Sequence, residues 1–236
     1  MINSYISIDL ETTGLNPKLD KIIEIGAVKV VDGVKVDTFS TFVNPGRQLE
    51  ARIITLTGIT QEQVDEAPEL AEVFPKLIEF LGELPLLGHR ILFDYSFLKK
   101  TAVNQKLTFE KQGIDTLRIA RVFLPQLEHR TLEYLCKYYE IPHTAHRAIG
   151  DAEATDRLYQ ILATQFYEQD SKIFAPQQLN YSVKRETPAT KAQKERLNRL
   201  IEQYNVTIDY DIEKLTRSEA SRYADKILAK YGRQSR

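Results

Sequence analysis

The sequence has no tryptophan, one cysteine and one methionine in 236 residues. A single thiol excludes an internal disulfide framework and leaves no cysteine pair for a zinc site. That thiol, Cys136, falls in the apolar rhythm Leu132, Leu135, Cys136, Tyr139 of a helical stretch, so it reads as core rather than as a nucleophile. Long apolar runs are missing too. None approaches the roughly 20 residues of a bilayer span, and Met1-Ile2-Asn3-Ser4 enters a strand-like run with no basic or apolar leader. The expectation is a globular, cytoplasmic chain with no membrane partner, whose 42% hydrophobic and 28% charged residues suffice for a buried core. Charge of one sign is lacking overall, with a net of −1, but not locally. From Val183 onward Lys and Arg outnumber Asp and Glu by 13 to 8, whereas before it the acids lead by 25 to 19. An acidic front and a basic tail indicate two parts with different jobs; the alternative is that a helical tail simply carries a solvated charged face.

Periodicity supplies the organisation. Residues 5–10 (YISIDL) alternate apolar and polar, as a strand does. Residues 22–31 and 34–43 are two further strands, and the Asp32-Gly33 pair between them is a strong hairpin signal because both central residues must take positive φ. The period then changes. Leu70, Val73, Phe74, Leu77, Ile78 and Leu81 have helical spacing. A short apolar run at 84–88, a helix at 95–103, a short strand at 114–115 and helices to 122, over 131–140 and over 147–167 follow. Three antiparallel strands followed by alternating strands and helices predict an α/β fold, a mixed sheet flanked by helices. Residues 169–188 lose periodicity and read as a linker between a domain over 1–168 and a basic helical tail over 189–236. In that tail Thr190-Lys191-Ala192-Gln193 and Thr216-Arg217-Ser218-Glu219 match the capping-box pattern, and Gly232 supplies a stop.

The chemistry-bearing residues begin on the first strand. Asp9 and Glu11 stand two apart, so both side chains project from one face. Adjacent carboxylates raise each other's pKa unless a cation lies between them, and oxygen-only ligands suit Mg²⁺ or Mn²⁺ better than zinc. Alone the pair is weak evidence, and a solvated strand end explains it better. Thr12-Thr13-Gly14 then ends the strand in a turn whose glycine lets another group approach the backbone closely. Asp94 heads a helix after His89-Arg90-Ile91-Leu92-Phe93, and His146 precedes Asp151 by five residues at another helix start.

The runs DLETTG, GHRILFD and HRAIGD, in this order, resemble the three exonuclease motifs of the DEDDh branch of the DnaQ-like superfamily, the group that holds the epsilon-type exonucleases of DNA polymerase III. The resemblance covers residues 5–167 and includes the intervening ITLTGIT at 54–60. It implies a ribonuclease H-like fold with a mixed five-stranded sheet, two divalent cations, Mg²⁺ or Mn²⁺, and 3′-to-5′ removal of nucleoside monophosphates from DNA in proofreading or repair. By the same resemblance Asp9, Glu11, Asp94 and Asp151 are the metal ligands and His146 is the general base. Thr12, Thr13, Gly14 and Leu15 contact the terminal nucleotide, and Leu56, Thr57 and Phe93 line its base. A metal pair supplies what phosphodiester hydrolysis demands, an attacking hydroxide, neutralised phosphate and a stabilised leaving oxygen, and an imidazole titrates where a base must.

Several residues stay open. The family's second motif commonly reads His-Asn where this chain has His89-Arg90, so Arg90 either touches substrate phosphate or points into solvent. Glu24, also within the resemblance, either hydrogen-bonds the Thr-Thr turn or is an ordinary strand-end acid. His89 reads as structural, and His129 and His143 as surface residues. Lys191, Lys194, Arg196, Arg199, Arg217, Arg222, Lys226 and Lys230 give the tail helices a basic exterior suited to a nucleic-acid backbone. Gln177-Gln178-Leu179-Asn180-Tyr181 loosely resembles the peptides that bind bacterial sliding clamps, against the plainer reading of a linker. The partners expected are single-stranded or frayed 3′ ends of DNA, with a polymerase or sliding clamp as protein partner. The rival readings are an RNA 3′ exonuclease and, in another class, a non-catalytic nucleic-acid or clamp-binding module.

Overall fold

The structure is a computed structural model that describes residues 1–143, 146–208 and 210–232. β1 (Tyr5–Thr12), β2 (Ile22–Val31) and β3 (Val34–Phe42) form the expected antiparallel meander. Asp32 and Gly33 close its hairpin with φ of 51° and 78°. Two short helices, α1 (Ala51–Thr57) and α2 (Gln61–Asp65), and α3 (Leu70–Leu81) lead to β4 (Leu86–Gly88), which lies parallel to β1. The helix α4 (Leu92–Asn104) then crosses to β5 (Gln112–Asp115), parallel to β4. Helices α5 (Thr116–Phe123), α6 (Leu132–Tyr138) and α7 (Ala148–Phe166) complete the layers.

The sheet order is β3-β2-β1-β4-β5 with a sixth strand, β6 (Gln177–Gln178), antiparallel at the edge of β5. The mixed sheet is therefore six-stranded rather than five-stranded. The extra strand comes from the segment read as linker. There Phe174 and Leu179 are buried, and an added Cβ on Gly113 of β5 would lie 2.8 Å from Leu179 Cδ1. Residues with no periodicity can thus be core when they run as an edge strand of two residues, too short to show an alternation. Within 177–181, Leu179 is buried and Tyr181 packs partly buried against the same core, while Gln177 and Gln178 are exposed.

β1 is buried on both faces. Ile6, Ile8 and Leu10 pack with α3 and α4 residues such as Phe74, Leu77, Tyr95 and Leu98. On the other side Tyr5, Val28 and Leu87 meet Leu158, Tyr159 and Leu162 of α7. Ser7 is polar and fully buried, and its hydroxyl donates to Ala152 O of α7 at 2.7 Å. Burying that hydroxyl without a partner would be unfavourable, so the bond pins α7 on the strand. Cys136 is buried and its thiol is pushed up to about 11 by burial, as befits a core residue.

The chain divides into two compact units, Met1–Pro45 with Leu49–Val183, and Gly46–Gln48 with Lys184–Arg236. The second unit holds α8 (Lys191–Tyr204) and α9 (Arg217–Tyr231), both opened by capping boxes, from Thr190 with Gln193 and from Thr216 with Glu219. The two N-termini are tied together, since Gln193 Nε2 donates to Ser221 Oγ at 3.0 Å. Leu197, Leu200, Ala220, Ala224 and Ile227 form the core between them. Tyr204 stacks on Tyr231 at the far end. No helix among the described residues is long and apolar enough to cross a membrane.

Candidate active site

The strand places the first two acids as its alternation requires. Asp9 and Glu11 sit on β1 opposite Gly26 and Glu24 of β2. Asp151, in the first turn of α7, completes a group in which one carboxylate oxygen from each residue lies within 4.8 Å of the others. α7 reaches β2 so closely because Gly26 has no side chain. An added Cβ there would stand 2.1 Å from the backbone carbon of Ala148. Glu24 is 1% exposed, and its Oε2 accepts from Ala148 N at 3.1 Å while Oε1 accepts from the Arg147 guanidinium at 3.1 Å. Glu24 thus fastens the start of α7, rather than the Thr-Thr turn, and is no ordinary strand-end acid. The one signal for it in the sequence was its place in the resemblance; a partner 123 residues away has no local trace.

Asp94 is buried on α4, and its Oδ1 accepts from Leu10 N at 3.1 Å. It is not one of the three mutually close acids, yet it is the strongest neighbouring charge acting on Asp9. Burial first, then Asp94, Asp151, Glu11 and Glu24, hold the Asp9 carboxyl well above the ordinary range. Glu11 is pushed up to about 8 by burial and by the charges of Asp151 and Glu24, with Arg147 pulling the other way. Asp94 is also raised, mainly by burial, although the backbone N–H groups it accepts from oppose this. Sequestered carboxyls that resist ionisation beside one another are what a divalent cation relieves.

The histidines separate. His89 is fixed by Thr116 Oγ1 at 2.9 Å and Arg130 O at 2.8 Å, and burial lowers its pKa, as suits a structural imidazole. His129 is exposed beside Glu128. His146 lies just before α7, partly exposed, with φ of 64°. His143 is not the expected surface residue. Its side chain is 6% exposed and its Nε2 lies 2.6 Å from Asp151 Oδ1. Nothing in the polar loop sequence separates it from a solvated histidine, since the contact depends on how the loop folds back on α7. Residues 144 and 145 lie outside the described residues.

Around the acids, Thr12 Oγ1 donates to Gly14 O at 2.7 Å and Thr13 Oγ1 accepts from Lys21 N at 3.0 Å, so the turn is built from its own hydroxyls. The close approach that Gly14 allows is taken by the Asp20 carboxylate, which an added Cβ would meet at 2.6 Å. Leu15 and Leu56 are strongly exposed and Phe93 is half-buried. Thr57 is buried, and its hydroxyl is committed to Ile53 O and Ile59 N. Arg90 is exposed, and its contribution is in the backbone. With φ of 78° it turns the chain from β4 into α4, its N–H donating to Asp115 Oδ1 at 2.9 Å. Asparagine tolerates that left-handed conformation better than a long side chain, which gives the Asn of the related motif a conformational reason.

A family model described as Exonuclease, RNase_T, matches residues 6–159. Among curated relatives, the PolC-type DNA polymerase III of Clostridium perfringens is 43% identical over 154 residues, 65% of this chain and 11% of that protein. The PolC-type enzyme of Halalkalibacterium halodurans is 33% identical over 244 residues, 98% of this chain and 17% of that protein. The chain therefore spans between about a tenth and a sixth of these relatives' length. Among solved structures, Exonuclease X in complex with 5′ overhanging duplex DNA superposes with a TM-score of 0.57 and 25% identity, over 72% of this chain and 99% of that one. The nuclease domain of 3′hExo, a DEDDh family member bound to rAMP, gives 0.60 and 25%, over 77% and 98%.

Proposed function

The chain belongs to the RNase_T exonuclease family, metal-dependent 3′-to-5′ exonucleases of the DEDDh type, and from that premise we propose that it hydrolyses the terminal phosphodiester of a DNA 3′ end, as a proofreading activity does. The observation that carries the reading is the convergence of Asp9, Glu11 and Asp151 to within 4.8 Å, from residues 142 positions apart in sequence. The donor set fits the cations this family uses. It is all oxygen, and burial together with neighbouring acids raises the carboxyls of Asp9 and Glu11, a shift that a bound divalent ion opposes.

Asp9, Glu11, Asp94 and Asp151 would hold two such ions, Mg²⁺ or Mn²⁺, which supply charge neutralisation at the scissile phosphate and a lowered pKa for the attacking water. The chain's own groups do the rest. His146 stands ahead of α7, partly exposed, where its imidazole takes the proton from the attacking water. The Thr12-Thr13-Gly14 turn and Leu15 receive the terminal nucleotide, and the exposed Leu56 with Phe93 offers apolar surface to its base. Thr57 supports this surface by anchoring the end of α1 rather than by presenting its hydroxyl. The basic second unit raises affinity for the polyanionic strand.

Incubating the protein with single-stranded DNA and, separately, single-stranded RNA in Mg²⁺ and resolving the products tests the reading. Release of deoxynucleoside 5′-monophosphates, stopped by chelator, is expected. Release from RNA alone moves the substrate class, and no release from either leaves a non-catalytic binding module.

A further inference from the structure

His143 lies outside the motif residues, yet it makes one of the shortest polar contacts in the site. A carboxylate oxygen can only accept, so His143 Nε2 carries the hydrogen it gives to Asp151 Oδ1 at 2.6 Å. The other oxygen of Asp151, Oδ2, accepts from Arg147 N at 3.0 Å. Both oxygens are therefore held from the loop that precedes α7. Asp9 and Glu11, by contrast, take no hydrogen bond from a described residue and are fixed by the strand alone. Asp94 accepts from Leu10 N.

The two histidines of the loop also differ. The side chain of His143 is almost wholly covered and bonded to Asp151, whereas His146, three residues on, makes no hydrogen bond to any of the four acids among the described contacts. One imidazole is anchored on a ligand carboxylate. The other is left to move a proton.

We propose that His143 is a positioning residue for the cation site: its Nε2–H fixes the rotamer of Asp151, so that the carboxylate meets the ion already oriented. A side chain on a loop-proximal first turn otherwise loses rotamer freedom when it binds, and a partner that holds it beforehand removes that loss. His143 thereby acts through Asp151, not on the substrate, and its work is separate from that of His146. The inference rests on the metal-centre reading given above.

Mn²⁺ binding to the full chain, followed by electron paramagnetic resonance, separates the two. His143→Ala is expected to weaken Mn²⁺ binding about tenfold or more, the range for losing a partner of a ligating side chain. His143→Gln, whose amide nitrogen replaces the donor at Nε2, should restore binding to near wild type, and saturating Mn²⁺ should restore turnover to His143→Ala. His146→Ala should bind Mn²⁺ as wild type does and stay inactive at saturation. Wild-type affinity in His143→Ala, or a His143→Gln variant as weak as His143→Ala, overturns the proposal while the metal centre stands. A wild-type protein that binds no Mn²⁺ removes the metal centre, and this inference with it.

Discussion

At the scale of single residues, the site is a balance of charge that the fold enforces. Glu11 ordinarily titrates near 4.5 but is pushed up to about 8 in the folded chain. Between those values the folded protein binds a proton that the unfolded chain has released, so stability is present at low pH and is lost as pH rises through the window. In chelator, the midpoint of thermal unfolding should therefore fall from pH 5 to pH 9. Mg²⁺ should flatten that fall; an unfolding temperature indifferent to both would mean that the acids are not packed as described. His146→Ala should lower turnover by about 10² to 10⁴, the usual worth of a general base, as read in single-turnover cleavage. Arg90 gives a prediction of the opposite sign. Its left-handed φ of 78° is strained for a long side chain, so Arg90→Asn should stabilise the protein by up to about 1 kcal/mol, measured by denaturant unfolding, with activity retained.

At the scale of elements, β1 and α7 do most of the assembly, and their docking depends on one absent side chain. Gly26→Ala would drive a Cβ into the Ala148 backbone, which cannot retreat as a side-chain tip can. A destabilisation above the roughly 1–3 kcal/mol of ordinary overpacking is expected, with loss of cleavage because Asp151 moves away from Asp9. This scale is also where sequence and structure part. The strands, the longer helices and the three acids that converge, Asp9, Glu11 and Asp151, were legible, because alternation, helical spacing and motif order are local properties of the chain. Glu24 and His143 were misread or left open, since a buried acid paired across 123 residues and a histidine folded back onto a helix have no period to betray them. β6 escaped for a different reason: two residues cannot show an alternation.

At the scale of the whole molecule, two units share the chain, and the boundary lies further along than composition suggests. Phe174 and Leu179 belong to the first unit's cores, so a chain shortened after Val183 should fold and keep its activity at low salt. One shortened after Tyr167 should lose stability. The longer form should bind single-stranded DNA more weakly than the full chain, with a shallower dependence of affinity on salt; equal affinity at every salt concentration would leave the basic helices without a role in binding.

If Asp9, Glu11 and Asp151 form the metal centre of an exonuclease that works from the 3′ end, cleavage depends on all three and proceeds from that end. A 5′-labelled single-stranded DNA incubated with the protein and Mg²⁺, sampled over time and resolved by length, tests it most directly. The expected result is a ladder that shortens one nucleotide at a time with the label retained on the shrinking strand, absent in chelator and absent with Asp151→Asn. Immediate release of labelled mononucleotide, internal cuts, or an undiminished ladder with Asp151→Asn would contradict it.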